Sequence, residues 1–211
     1  MTGSLTESVV EDACLGWLGE LGYGVANGLD IGPDGCTPER NNYEEVFLLD
    51  RFRAAIRRLN PALTEELCAE VIAKVLRVES PSLVEENRRL YRYLIEGVPI
   101  EVARADGTIS GEQARLVDFE YPEANDWLAV NQFTVIENQA NRRPDIVLFM
   151  NGLPFGVIEL KKPGDETSPA ATVAWMMARS VFGETTIRPP AFFTRSTSAE
   201  SRTVPAPTRA S

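Results

Sequence analysis

Residues 142–162 read RRPDIVLFMNGLPFGVIELKK, and the fold turns on this stretch. Two short runs rich in Ile, Val, Leu and Phe, 145–151 and 154–162, flank Asn151-Gly152. An Asn-Gly pair tolerates the positive φ angles of a tight hairpin turn, so the runs are predicted to pair as antiparallel strands. Strand side chains alternate between faces, which sets Glu159 and Lys161 on one face and Leu160 on the other. Mirroring the chain about the turn brings Glu159 and Lys161 to the level of Asp145 or slightly beyond it.

Asp145, Glu159 and Lys161 are therefore the candidate catalytic residues. Carboxylates set among Ile, Val, Leu and Phe need a cation or hydrogen bonds to offset their desolvation. Hard oxygen donors suit Mg2+. Asp145, Glu159 and the backbone carbonyl of Leu160 are the candidate ligands, with waters completing an octahedron. A bound metal lowers the pKa of its water and polarises a phosphoryl oxygen. Lys161 is placed to orient that water or to stabilise charge on the phosphate. Glu-x-Lys alternation is common on exposed strands, and a structural Glu159–Lys161 ion pair is the competing reading. The apolar setting of the pair favours chemistry. Arg142 and Arg143 precede the acid and are candidates to neutralise nearby phosphates; Lys162 follows the lysine as a solvent-facing or phosphate-contacting charge. A polar turn before a strand is the plainer reading of the two arginines. Histidine is absent, which excludes Ser-His-Asp and Cys-His catalysis and His-ligated metal sites.

Upstream the period is helical. Helices are predicted over 5–21, 43–59, 64–77 and 82–95, with 25–42 a loop rich in Gly, Pro, Asn and Asp. The most regular is 43–59, with Val46, Leu49, Phe52, Ile56 and Leu59 on one face. Arg88, Arg89 and Arg92 in 82–95 are further candidate contacts to a phosphate backbone, against the plainer reading of a solvated face. Beyond residue 97 the period shortens. Strands are predicted at 98–103, 113–119 and 131–138 as well as in the hairpin, and a final helix at 170–182. The chain thus divides into an N-terminal helical part (1–97), a sheet-bearing core (98–183) and a tail (184–211) rich in Pro, Ser, Thr, Ala and Arg that is expected to be disordered. The fold class expected is α/β.

A chain of 211 residues has the length of one domain or slightly more, enough to bury a core without staples. No apolar run reaches the ~20 residues of a membrane helix. The first twenty residues lack the basic start of a signal peptide. Three widely spaced cysteines without a Cys-x-x-Cys argue against a disulfide framework or zinc ribbon, and a cytoplasmic location is expected. Lys plus Arg is 21 against 31 for Asp plus Glu, a net charge of −10, so any nucleic-acid role must rest on a local basic patch or on partner subunits.

RRPDIVLFMNGLPFGVIELKKPGDE (142–166) resembles the nuclease domain of the restriction (R) subunit of type I restriction-modification enzymes, within the PD-(D/E)xK superfamily. Further stretches resemble the same family in order: ESVVEDACLGWLGELGY (7–23), ERNNYEEVFLLDRFRAAIRRLNP (39–61), VEENRRLYRYLIEGVPIE (84–101) and LVDFEYPEANDWLAVNQFTV (116–135). The resemblance implies a mixed central sheet flanked by helices and a Mg2+-dependent endonuclease activity on double-stranded DNA. It maps the family acids onto Asp145 and Glu159, the lysine onto Lys161 and the motif proline onto Pro144. It also implies methylation and specificity subunits as partners, and ATP for the full-length family. This chain has no Gly-x4-Gly-Lys-Ser/Thr phosphate loop, and no ATP site is expected in it. The family's Gln-x3-Tyr pair is missing from 170–186, and the likeness fades near Thr167. The tail composition suits a GC-rich gene read out of frame, and a truncated or frameshifted R subunit is expected. Two other readings compete: an inactive remnant or subunit-docking module, and a different nuclease of the same superfamily.

Overall fold

The structure is a computed structural model and describes residues 7–104, 107–137, 140–160 and 171–175, the last by backbone alone. Helix α1 (Glu7–Glu20) leads into strand β1 (Gly24–Asn27), followed by α2 (Leu49–Leu59), α3 (Glu65–Leu76) and α4 (Leu83–Glu96). Next come β2 (Val98–Ala103), β3 (Ile109–Ala114), a single 3-10 turn at Pro122–Ala124, β4 (Trp127–Asn131), β5 (Val135–Glu137) and β6 (Ala140–Arg142). Strands β7 (Ile146–Met150), β8 (Leu153–Leu160) and β9 (Ala171–Trp175) follow. Five strands form a central sheet in the order β1-β4-β7-β8-β9. β1 runs parallel to β4 and the other pairs are antiparallel, so the sheet is mixed, as the resemblance implied. The pairs β2-β3 and β5-β6 stand apart from it.

Local chemistry fixes the helix ends. Thr64 caps α3 by accepting the Leu67 N–H, with Glu65 and Glu66 in the first turn to meet the helix dipole. Gly22 and Gly97, both at positive φ, stop α1 and α4. The core has three parts. Leu15 and Leu18 of α1 cover one sheet face, against Ala129, Ile146, Leu148, Ile158 and Leu160. The other face carries Leu128, Val130, Val147, Phe149 and Val157, under Leu48 and Phe133. Helices α2, α3 and α4 and the β2-β3 pair gather around Met150 and Leu153 at the turn end of the hairpin. This last cluster joins residues from both sides of position 97, among them Phe52, Leu90, Val98 and Leu116.

The hairpin forms as expected, through Asn151 and Gly152 at φ 53° and 79°. The turn is buried instead of solvent-facing. The Gly152 carbonyl accepts the Leu48 N–H at 2.9 Å, and a Cβ on Gly152 would lie 2.4 Å from the Leu48 carbonyl oxygen. The start of α2 therefore rests directly on glycine backbone.

Several expectations need correction. The helix expected over 170–182 is strand β9 where described: Leu160 pairs with Ala171 and Gly156 with Trp175, so the open edge of β8 decides the conformation rather than local periodicity. Residues 25–42 are not all loop, because β1 occupies their start and gains its ladder from distant β4. Helix α2 begins at Leu49, not 43. Asn42 accepts the N–H groups of Glu44 and Glu45, a local turn that competes with helix. The strand expected at 113–119 lies earlier, as β3. The one expected at 131–138 is broken at Gln132, whose φ of 54° ends β4 before β5 begins. The tail 184–211, Lys161 and Lys162 lie outside the described residues.

Candidate functional site

The site is built by register. Ile146 pairs with Ile158 and Val147 with Val157, so extending the ladder by one residue sets Asp145 opposite Glu159. Directly opposed residues share a face, with Cβ atoms roughly 4.5–5.5 Å apart. A bulge makes this possible. Met150 pairs with Leu153 and Phe149 with Pro154, but Leu148 pairs with Gly156, leaving Phe155 as an extra residue. Continuing the turn-proximal register without the bulge, with Phe155 paired to Leu148, would oppose Asp145 with Ile158 and send Glu159 to the α1 face. Instead both carboxylates follow Val147 and Val157 on the side away from α1, where the apolar cluster ends.

Asp145 is half-buried and Glu159 exposed. Asp145 Oδ2 accepts the Leu160 N–H at 2.6 Å, and the Asp145 carbonyl accepts the Gln132 N–H at 3.3 Å. The aspartate is thereby tied to strands on both sides. A residue in a strand sends its N–H and C=O to the same neighbour, so the Leu160 carbonyl leaves β8 on the Asp145 side. Among the described residues no three Cys, Asp or Glu side chains gather closely enough to hold an ion. The donor set thus consists of two carboxylates and one backbone carbonyl.

The candidate cations fall into separate groups. Arg142 and Arg143 are exposed and directly precede Pro144-Asp145, at the acid end of the sheet. Arg88 and Arg92 are exposed on α4, whose Leu90 packs in the cluster around Met150 and Leu153. They belong to the opposite end of the hairpin, and the structure does not bring them to the carboxylates. Arg89 has its donors committed: it is 14% exposed, ion-paired with Glu86 at 2.7 Å, and donates to the Lys74 and Arg77 carbonyls. Burial opposes its charge, but the hydrogen bonds to Glu86 and Tyr93 carry its pKa above the ordinary value. Its guanidinium ties α3 to α4 and is not presented to a phosphate.

Three polar residues at the acid end went unremarked in the sequence: Glu11, Asn131 and Gln132. Glu11 Oε1 accepts the Asn131 amide at 2.7 Å, and both its oxygens lie 3.2 Å from Gln132 Nε2. The one local signal for Glu11 is an acid set between apolar positions on the inner side of α1.

A mixed sheet with helical cover and paired acids on adjacent antiparallel strands defines an α/β domain with a carboxylate site at one sheet end. Residues 4–175 match the family described as the N terminus of the type I restriction enzyme R protein, and the chain belongs to that family. It is 37% identical over 158 residues to a putative type I restriction enzyme MjaIXP endonuclease subunit of Methanocaldococcus jannaschii, an alignment covering 74% of this chain and 15% of that protein. It is 34% identical over 165 residues to the type I restriction enzyme HindI endonuclease subunit of Haemophilus influenzae, covering 78% of this chain and 16% of that protein. The chain therefore spans about one sixth of the length of these relatives. No helix among the described residues is long and apolar enough to cross a membrane.

Proposed function

We propose that this chain is a Mg2+-dependent endonuclease domain of PD-(D/E)xK type that hydrolyses DNA phosphodiesters within a cytoplasmic type I restriction complex. The observation that carries the reading is the level, same-face placement of Asp145 and Glu159 beside the Leu160 backbone. The donors fit the ion: all are hard oxygens, and among the described residues the one hydrogen bond to the Asp145 carboxylate is from the Leu160 N–H to Oδ2. Bound there, Mg2+ supplies an acidified water and a polarised phosphoryl oxygen. Asp145 and Glu159 hold it, Lys161 orients the attacking water, and Arg142, Arg143 and Lys162 receive the DNA backbone. Double-stranded DNA is the substrate, and methylation and specificity subunits are the partners. ATP is expected for the full-length family, and these 211 residues hold no Gly-x4-Gly-Lys-Ser/Thr phosphate loop.

The test is a nicking assay on the 211-residue chain with and without Mg2+, using Glu159→Ala as control. Mg2+-dependent nicking lost in the control supports the reading; nicking undiminished in Asp145→Ala and Lys161→Ala refutes the assignment. A second reading, a subunit-docking module without activity, draws on the −10 charge and the missing Gln-x3-Tyr pair. Wild-type chain that melts cooperatively yet takes up no Mg2+ would favour it.

A further inference from the structure

Gln132 is the outlier that opens this end of the molecule. It is neither glycine nor asparagine, yet it holds φ 54°, a left-handed conformation that costs such residues free energy and persists where surroundings enforce it. Its main chain also does structural work on the candidate site, because its N–H donates to the Asp145 carbonyl. Gly28 presses from the other side: a Cβ there would lie 2.5 Å from the Gln132 carbonyl oxygen. The Gly28 N–H donates to the Asn131 carbonyl at 2.7 Å. On the remaining side stands Glu11. Its carboxylate is half-buried, has no ion-pair partner among the described residues, and gathers the amides of Asn131 and Gln132 across 120 and 121 residues of chain. Hydrogen bonds thus run from Glu11 to Gln132, from Gln132 to Asp145, and from Asp145 to Leu160.

We infer that Glu11 is a positioning residue: by clamping the Gln132 side chain it enforces the left-handed backbone that aims Asp145 at the Leu160 edge. Among the described residues Glu11 makes no hydrogen bond to Asp145, so its effect on that carboxylate passes through Gln132. This assigns α1 a role beyond covering the sheet. It also explains why a carboxylate is set on the helix's inner side, where an apolar residue would pack at lower cost.

Glycine adopts φ near +54° without help, so Gln132→Gly separates this role from any direct one. The inference rests on the metal-site reading above, and two measurements on the full chain keep them distinguishable: amide hydrogen exchange at Leu160, and calorimetric titration with Mg2+. In Glu11→Ala the Leu160 amide is expected to exchange faster and Mg2+ affinity to fall about tenfold, the size typical of groups that orient ligands. Glu11→Gln, which keeps an acceptor oxygen, is expected to lose less. In the double variant Glu11→Ala/Gln132→Gly, Leu160 protection and affinity are expected to return to near the wild-type values. Unchanged Leu160 exchange in Glu11→Ala overturns the inference. So does a double variant no better than Glu11→Ala, which would make Glu11 act directly. Should the wild type bind no Mg2+, the metal reading fails, and the exchange measurements alone decide the role of Glu11.

Discussion

Asn151 occupies a hairpin turn, where asparagine ordinarily meets water, yet it is fully buried. Its Oδ1 accepts the Asp126 N–H and Arg58 Nη2, while its Nδ2 donates to the Leu116 carbonyl and Asn125 Oδ1. Replacing it with Ala strands several buried groups, and at about 1–3 kcal/mol per unsatisfied group the loss should be at least ~3 kcal/mol in urea melts. Gly152→Ala combines positive φ with a collision against Leu48 backbone, and should destabilise by a similar amount or prevent folding. The dipeptide announced the turn in the sequence, because φ requirements are local. It could not announce the burial, which depends on α2 arriving from a hundred residues upstream. Asp145 was legible for the same local reason, as an acid opening an apolar strand. Glu11 was not, because its partners lie on a strand the periodicity misplaced.

At the scale of elements, the bulge at Phe155 decides which face Glu159 takes. Deleting Phe155 removes only the unpaired residue and leaves Leu148 opposite Gly156 and Asp145 level with Glu159, so Mg2+ uptake should persist in the folded product, read by calorimetry beside a thermal melt; loss of uptake by a folded deletion variant would contradict the register. The loss of its edge-on packing against Trp127 should also lower the melting temperature. The sequence supported a level placement only loosely, since a bulge is set by backbone pairing and leaves no residue signature here beyond ordinary apolar side chains. The tie between α3 and α4 has a pH dependence. Burial alone would raise the Glu86 pKa, but Arg89 and the Ser80 and Glu79 N–H groups hold it below the ordinary carboxylate value. A depressed folded pKa means the unfolded chain takes up the proton first as pH falls. The contribution is therefore whole above the ordinary Glu range and disappears as pH drops through the lower folded value. Glu86→Gln should flatten that part of the stability profile in acid melts, and an unchanged acid limb would contradict the assignment. Strand β9 shows the opposite limit of sequence reading. Ala171–Trp175 carries a helical pattern, but the vacant edge of β8 offers it a ladder.

For the whole molecule, charge bears on the nuclease reading. A net charge of −10 opposes capture of a DNA backbone by the chain alone. Nicking by the isolated chain is expected to be weak and to fall steeply with added salt; robust, salt-insensitive cutting would contradict a dependence on partner subunits for loading. The overall architecture was legible because the hairpin and helices α2 and α4 are strongly patterned. The order of the central sheet was not, since β1 and β4 are short and meet only in space. The most direct test of the account is calorimetric titration of the wild-type chain with Mg2+, alongside Asp145→Ala and Glu159→Ala. The account predicts one ion bound per chain, with the heat lost in both variants and cooperative melting retained in all three. Binding that survives both substitutions, or no binding by a well-folded wild type, would contradict it.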